Sequence, residues 1–445
     1  MKNQLDTICA ISTPRGNAAL AIIRISGNET LHIVKQVTKT KVSLLKYNKM
    51  YKTTFYESER VLDEGMICLF KAPKSYTGED MAELYCHGND FTVSQVLESV
   101  LKYCRLAEKG EFTFRAFLNR KIDLTQAEAV GNLLNAQTKQ AQKAALLQLE
   151  GRLYHKIKST LDKLIELRIL FELAIDFIEE EVPEFDSDKI LIKINSILEE
   201  LQVLINTAHD GIIAQEGIKI CLAGAPNVGK SSVFNAFLET ERAIITPIPG
   251  TTRDYLEERF SLNGYLIRLF DTAGIHESDD LVEQIGIERS LDIIQKADLV
   301  FYITSPDIDE KTNDDFIKSL PQEKTVKVLN KADLLPNRAM IHDYVLCSTI
   351  TKDGLNDLKK DIISRFKNID TELESGILTN ARQLACVKNS YECLLKAKNA
   401  VQNEMGIDFI TFDIQQASYA LEEIIGRVSS DDILDRIFSE FCIGK

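Results

Sequence analysis

The sequence predicts a multidomain chain of α+β and α/β class, in which an α/β block interrupts a helical one. Three observations carry that expectation. The chain has 445 residues, 44% of them hydrophobic, enough for several cores at roughly 100–200 residues per domain. Leu153, Ile157, Leu161 and Ile165 recur every four residues, the spacing of one helix face. Between about Ile218 and Lys367, short β-branched runs alternate with helical stretches, the pattern of a parallel sheet covered on both faces.

Taken in order, residues 1–120 read as mixed α/β. Ile8–Ile11, Ala21–Ile25 and Met66–Phe70 are strand-like runs, and Asp90–Leu106 has helical spacing. From about Thr125 to His209 only Gly131, Gly151 and Pro183 punctuate what reads as long helices. The same texture returns from about Asn380 to Phe441, with Ala417, Leu421, Ile424, Ile425 and Val428 on a stripe. Segments 121–215 and 373–445 are therefore expected to form one helical bundle around an insertion at 216–372. Inside the insertion, Ile218–Leu222 is a strand followed by a glycine turn and a helix from Lys230. Leu266–Phe270, Leu299–Ile303, Val326–Leu329 and Val345–Cys347 are further buried-type strands.

Composition excludes several classes. Lys and Arg number 53 against 67 Asp and Glu, a formal net charge of −14. That balance argues against gripping nucleic acid by bulk electrostatics, so any RNA contact must be local or supplied by a partner. The most apolar stretch, Leu164–Ile178, is broken by Glu166, Arg168, Glu172 and Asp176, so no membrane span is expected. The nine cysteines are scattered without a Cys-x-x-Cys pair, which fits reduced thiols. The opening Met1–Asp6 stretch has neither an apolar signal core nor an Arg-rich transit pattern, and a cytoplasmic location is expected. His87, in Cys86-His87-Gly88, lacks a second ligand pair at zinc spacing.

The chemistry is concentrated in the insertion. Gly224-Ala225-Pro226-Asn227-Val228-Gly229-Lys230-Ser231 has the spelling of a phosphate-binding loop, between a strand and a helix. Glycines let successive backbone N–H groups face phosphates, and the helix N-terminus adds positive potential. Lys230 would reach the β- and γ-phosphates and Ser231 would ligate magnesium, with Asn227, Val228, Gly229 and Ser232 completing the loop contacts. Downstream, Gly250-Thr251-Thr252-Arg253-Asp254 sits where a switch threonine, Thr252, would complete the magnesium shell, with Arg253 a catalytic candidate beside it. Asp271-Thr272-Ala273-Gly274 closes a strand, so that Asp271 can hold magnesium through water and Gly274 can meet the γ-phosphate. In Asn330-Lys331-Ala332-Asp333, Asp333 can accept from the N1–H and 2-amino group of guanine; adenine offers the reverse pattern, hence GTP. Ser348, in Cys347-Ser348-Thr349, is the candidate for a last guanine-contacting loop. These motifs predict a Ras-like P-loop GTPase domain. In Ras-like proteins a glutamine after Asp-x-x-Gly orients the attacking water; here Ile275 holds that place. His276, Glu277, Asp279, Asp280 and Glu283 are the polar candidates that follow it.

The chain resembles one family over nearly its whole length, the tRNA-modifying GTPases MnmE, also called TrmE. The resemblance is carried by Asp6-Thr7-Ile8, Ile22-Ile23-Arg24-Ile25-Ser26-Gly27, Thr77-Gly78-Glu79-Asp80 and Gly110-Glu111-Phe112. It continues through Arg115–Asn119, Gln126–Ala129, the GTPase motifs and the closing Phe441-Cys442-Ile443-Gly444-Lys445. It implies an N-terminal domain that binds a tetrahydrofolate derivative (5-formyl- or methylene-tetrahydrofolate) and mediates homodimerisation. Arg24, Glu83, Lys121 and Lys445 match the folate positions, and cationic donors suit a glutamate tail and formyl-type group. The family works with a flavin-containing partner, MnmG (GidA), in a heterotetramer or larger assembly. Together they install an aminomethyl or carboxymethylaminomethyl group on C5 of the wobble uridine (position 34) of certain tRNAs. In the family the GTPase domains meet face to face and potassium takes the place of an arginine finger. Asn227, Thr246, Ile248 and Thr251 match that potassium site, in a segment that also brings Pro247, Pro249 and Gly250 to the nucleotide. Glu283 matches the glutamate that positions water, which makes a hydrophobic Ile275 expected. Two departures stand out: Pro14-Arg15-Gly16-Asn17-Ala18-Ala19 replaces a glycine-rich opening, and Pro247-Ile248-Pro249-Gly250 replaces Asp-Ile-Ala-Gly. Cys442 is a further candidate for a chemical role. The alternative reading, a ribosome-assembly or translation GTPase switch, has no need of the folate-like N-terminal block and tail.

Overall fold

The computed structural model describes residues 6–176, 187–240, 256–271, 292–308, 317–335, 343–366, 376, 378–428 and 430–445. The chain forms two compact units, one of Met1–Leu134, Gln148–Ile190 and Glu392–Lys445, the other of Asn135–Leu147 and Leu191–Tyr391.

The first unit opens with β1 (Ile8–Ile11), β2 (Ala18–Ser26), α1 (Thr30–Thr38), β3 (Met50–Glu57), β4 (Arg60–Phe70), β5 (Met81–Gly88), α2 (Asp90–Leu101), β6 (Arg105–Leu106) and α3 (Glu111–Leu118). The strands make one sheet in the order β3-β4-β5-β2-β1-β6, antiparallel except for the β1–β6 pair. Ile23, Ile25 and Leu84 face α1 and α2, packing with Ile33, Val37, Val96 and Val100. Residues of opposite parity, such as Ile8, Ala10 and Met81, pack instead with Phe112 of α3. Period-two alternation therefore gives the sheet two covered faces. It also places Arg24 of β2 directly across from Glu83 of β5.

The expected helix Asp90–Leu106 stops short. Asn89 caps its start by accepting from the Thr92 amide, but the helix ends at Leu101. Arg105 and Leu106 are drawn off to pair with Ile8 and Cys9.

The helical part of this unit contains α4 (Leu124–Asn135), α6 (Arg152–Asp176), α11 (Ile407–Ile425) and α12 (Asp431–Ser439). Between α4 and α6 lies α5 (Lys139–Leu149). On α6 the buried stripe is Leu153, Ile157, Leu161, Leu164, Leu167 and Phe171; Ile165 is only half-buried. A strict four-residue repeat drifts off a 3.6-residue helix, and Leu164 takes over the face. The stripe on α11 likewise ends early. Ala417, Leu421, Ile424 and Ile425 are buried, but Gly426 closes the helix in the left-handed conformation and Val428, beyond it, is half exposed.

The second unit contains α7 (Ser187–Glu216), β7 (Ile218–Ala223), α8 (Lys230–Thr240), β8 (Leu256–Leu262), β9 (Tyr265–Asp271), β10 (Leu299–Thr304), β11 (Thr325–Leu329), β12 (Val345–Leu346), α9 (Leu355–Arg365) and α10 (Ala381–Gln402). The unit boundaries fall inside α4 (at its last residue), α5, α7 and α10. The sheet runs β12-β11-β10-β7-β9-β8, parallel except for the edge strand β8. That exception was not expected. It follows from Asn263-Gly264, whose φ values of 50° and 90° make the tight turn that folds β8 back on β9. Alternate residues of β7 and β10 serve two cores: Ile220, Leu222, Phe301 and Ile303 on one face, Cys221, Val300 and Tyr302 on the other.

Candidate functional site

Five strands of the second sheet end at one edge, and the motif residues sit just past them. In open parallel sheets this carboxyl edge is where ligands bind. After β7 the chain turns through Gly224–Gly229 into α8. Gly224 has φ 143°, and a Cβ there would strike the Ile303 carbonyl of β10; Gly229, at φ 91°, has no room beside Asn330. Asn227 is left-handed at φ 64°, which asparagine tolerates better than most residues. The glycines of the motif are thus required by close backbone approach as well as by turn geometry.

Lys230, the first residue of α8, is 5% exposed. Its ammonium donates to the carbonyls of Gly224 and Ala225, both at 2.9 Å. Burial pulls its pKa below the ordinary lysine value, and Asp271 opposes that shift. The Ser231 hydroxyl donates to Asp271 Oδ2 at 2.9 Å, which brings a hydroxyl and a carboxylate to one place at the ends of α8 and β9. Hard oxygen donors of this kind suit Mg2+. Ser232 and Asn227 are exposed, and Val228 is buried.

Past β11, Asn330 is 1% exposed. Its Nδ2 donates to the Val228 carbonyl at 3.0 Å, tying this loop to the one after β7. Its Oδ1 is buried without a hydrogen-bond partner among the described residues, as expected of a group that awaits a ligand. Lys331 is left-handed at φ 57°, and its ammonium pairs with Asp307 past β10 at 3.1 Å. Ser348, past β12 and fully buried, donates to Asp333 Oδ1 at 2.6 Å. The structure therefore gathers Lys230, Ser231, Asp271, Asn330, Asp333 and Ser348 along one edge. Thr246, Pro247, Ile248, Pro249, Gly250, Thr251, Thr252 and Arg253 lie outside the described residues, as do Thr272, Ala273, Gly274 and Glu283.

A second polar cluster lies in the first unit. Arg24 Nη2 and Nε both donate to Glu83 Oε1, at 2.8 and 3.1 Å. Its guanidinium stands 5.7 and 5.8 Å from the ring centres of Tyr76 and Phe112. Tyr85 donates to Glu83 Oε2 at 2.6 Å; burial and that carboxylate push its phenol pKa up. The chain's last residues close this cluster. Ser12 Oγ and Arg24 Nη1 donate to the Gly444 carbonyl at 3.1 and 3.4 Å, and the Phe112 amide donates to that of Lys445 at 3.2 Å. Burial, then Arg24, lowers the Lys445 pKa, while Glu83 raises it. Three of the four residues matched to folate therefore meet. The fourth, Lys121, is exposed and donates to the Pro73 carbonyl at 2.9 Å. Cys442 is exposed, and its carbonyl accepts from the Gly110 amide at 3.5 Å. Sequence reading missed Tyr85, Tyr76 and Ser12. Tyr85 is two residues from Glu83 on β5 and so on its face, a signal that the sequence carries. Ser12, just past β1, and Tyr76, in the connection between β4 and β5, have no such local signal.

Two family models match the chain: the TrmE N-terminus over residues 7–121 and the MnmE helical domain over residues 124–442. A relative from Aquifex aeolicus (strain VF5), described as tRNA modification GTPase MnmE, is 39% identical over 451 residues, covering 99% of this chain and 100% of its own. One from Syntrophus aciditrophicus (strain SB), with the same description, is 39% identical over 457 residues and 99% of both chains. Among solved structures, the G domain of the Thermotoga maritima FeoB iron transporter is 27% identical, covering 33% of this chain and 97% of that one at a TM-score of 0.25.

Proposed function

This chain belongs to the MnmE family of tRNA modification GTPases, and from that premise we propose how its two polar clusters divide the work. It hydrolyses GTP and serves tRNA modification; none of its described helices is long and apolar enough to cross a membrane. The observation that carries the finer reading is the gathering of the motif residues at one sheet edge, in a chain whose other unit seats its own C-terminus beside Arg24 and Glu83.

In this reading the nucleotide lies along the carboxyl edge of the second sheet. Lys230 exchanges its two loop carbonyls for the β- and γ-phosphate oxygens, a favourable trade for a buried ammonium. Ser231 and Asp271 hold Mg2+, with Thr252 as a further ligand; when bound, the ion supplies positive charge against the developing phosphate charge. Asp333 reads guanine, Ser348 fixes the orientation of its carboxylate, and Asn330 braces the loop after β7. The resemblance adds K+ at Asn227, Thr246, Ile248 and Thr251, and a water-positioning role for Glu283. Arg253 is kept as a catalytic candidate.

Arg24, Glu83 and Lys445, with Lys121, are proposed to bind a tetrahydrofolate derivative that brings the one-carbon unit. The Glu83 carboxylate can accept from ring N–H groups, and Arg24 and Lys445 can meet anionic or carbonyl oxygens. Cys442 is close to this cluster in sequence and exposed, which suits a reacting thiol. The partner is the flavoprotein MnmG, the assembly is built on a homodimer, and the product carries an aminomethyl or carboxymethylaminomethyl group at C5 of the wobble uridine. The reaction belongs in the cytoplasm.

Steady-state GTP hydrolysis in potassium against sodium buffer, across a range of protein concentrations, tests the mechanism. Potassium activation that grows with concentration is expected. Equal rates in both salts would remove Asn227 and its segment from the cation site.

A further inference from the structure

A cavity of about 780 Å3 opens in the first unit, within the range of small-ligand sites. Lys121 lines it, but Arg24, Glu83 and Lys445 do not. Its walls come from the turn after α3, the first turns of α4 and α6, and the residues that end α11.

Its charge is lopsided in a chain that is acidic as a whole. Arg120, Lys121 and Arg427 bring cations, Asp123 and Glu150 bring carboxylates. Both acids are already engaged. Asp123 Oδ1 accepts from the Thr125 and Gln126 amides and the Thr125 hydroxyl, so it is occupied in capping α4. Glu150 pairs with Arg152 at 3.4 Å. Arg120 and Arg427 are exposed, and among the described residues neither makes an ion pair. The half-buried Tyr154, edge-on to His155 at 5.5 Å between ring centres, lines the same cavity.

Unpaired guanidinium groups and an aromatic ring lining one cavity are the chemistry that takes phosphates and a stacked base. We propose that this cavity receives a nucleotide of the RNA substrate, its base against Tyr154 and its flanking phosphates on Arg120 and Arg427. The inference rests on the tRNA reading above and adds to it a place on this chain. A net charge of −14 argues against diffuse attraction, so any RNA contact that this chain makes itself must be local, as a discrete basic concavity is.

The test is fluorescence anisotropy of a labelled anticodon stem–loop RNA with the full chain, from about 50 to about 200 mM KCl. The R120Q/R427Q variant is expected to bind about tenfold more weakly, with a log–log salt slope shallower by about 1.4–1.8, two phosphate contacts' worth. R120K/R427K should keep the wild-type slope, because a lysine still neutralises a phosphate. Y154L should lose about tenfold with the slope unchanged, because stacking is not ionic. Thermal midpoints report folding of each variant. A wild-type slope in R120Q/R427Q, or no RNA binding by the wild-type chain, overturns the proposal. So does displacement of the RNA by a polyglutamylated folate, which would give the cavity to that anionic tail. Wobble-nucleoside analysis of tRNA treated with the same wild-type preparation and the flavoprotein reports the tRNA reading independently. Modified product alongside unaltered variant binding would sink the cavity alone.

Discussion

Replacing Asp333 with asparagine should turn the chain's base preference from guanine towards xanthine. Guanine presents two donors, N1–H and the 2-amino group, and the Asp333 carboxylate can accept from both. One of its oxygens also accepts from Ser348 at 2.6 Å, so the carboxylate is held in place before any ligand arrives. Asparagine keeps one oxygen for the Ser348 hydroxyl and turns an amide N–H2 towards the base, donor against donor. Two hydrogen bonds to a charged acceptor are lost, each worth about 1.5–3 kcal/mol. The sum, about 3–6 kcal/mol, corresponds to a GTP affinity lower by roughly 10²–10⁴. Xanthine carries a carbonyl at C2, which accepts from that amide, so XTP affinity should rise in the same variant. Titration of wild type and D333N with GTP and XTP reads both changes. An unaltered ratio of the two affinities would remove Asp333 from base recognition and, with it, the assignment of Ser348.

Three further expectations are independent of that one. Glu283→Ala should leave GTP affinity nearly unchanged and slow single-turnover hydrolysis by about 10²–10⁴, the range of a lost proton-handling or water-positioning group; hydrolysis at the wild-type rate rejects its role. Arg24→Ala removes both guanidinium donors to Glu83 Oε1 and should weaken 5-formyltetrahydrofolate binding by at least about tenfold, read by calorimetry; equal affinity would contradict the folate cluster. Glu111 gives a pH signature. Burial raises its carboxyl, but Arg105 and Arg115 hold it below its ordinary value of 4.5. A lowered folded pKa means that its stabilisation is whole above about 4.5 and is lost as pH falls through the folded value. Glu111→Gln should therefore lower the thermal midpoint near neutrality, and the gap to wild type should narrow as the pH falls below about 4.5. A gap that stays constant with pH would show that the ion pairs at 2.6 and 2.9 Å carry no titratable stability.

How much of this was legible in the sequence depends on the range of the forces involved. The loop from Gly224 to Ser231 could be read because its glycines answer to local backbone demands: Gly224 faces the Ile303 carbonyl and Gly229 faces Asn330. The strands that end at the site were legible as β-branched runs for the same local reason. Asn263-Gly264 spelled out a hairpin as plainly, and the regular β-α alternation around it hid the antiparallel edge. The ends of α2 and α11 differ from the expected ones for two reasons, one non-local and one a local glycine cap. Arg105 and Leu106 obey the pull of β1, and Gly426 stops α11 before Val428. The partners of Arg24 show the other limit. Glu83, Tyr76, Ser12 and Gly444 are scattered over the chain and meet only through strand register, the connection between β4 and β5, and the seated last residues. The cavity at Tyr154 is of that kind too, since no window of sequence contains its walls.

The most direct test of the account joins both clusters in one product. The chain would be incubated with the flavoprotein, GTP, unmodified tRNA and a tetrahydrofolate labelled with ¹³C in its one-carbon unit, and the wobble nucleoside analysed by mass spectrometry. The account predicts labelled carbon attached at C5 of the uridine, formed by the wild-type chain and lost in both Lys230→Ala and Arg24→Ala. Labelled product formed equally by either variant would contradict the division of labour between the two units. A modified uridine without label would contradict the folate donor itself.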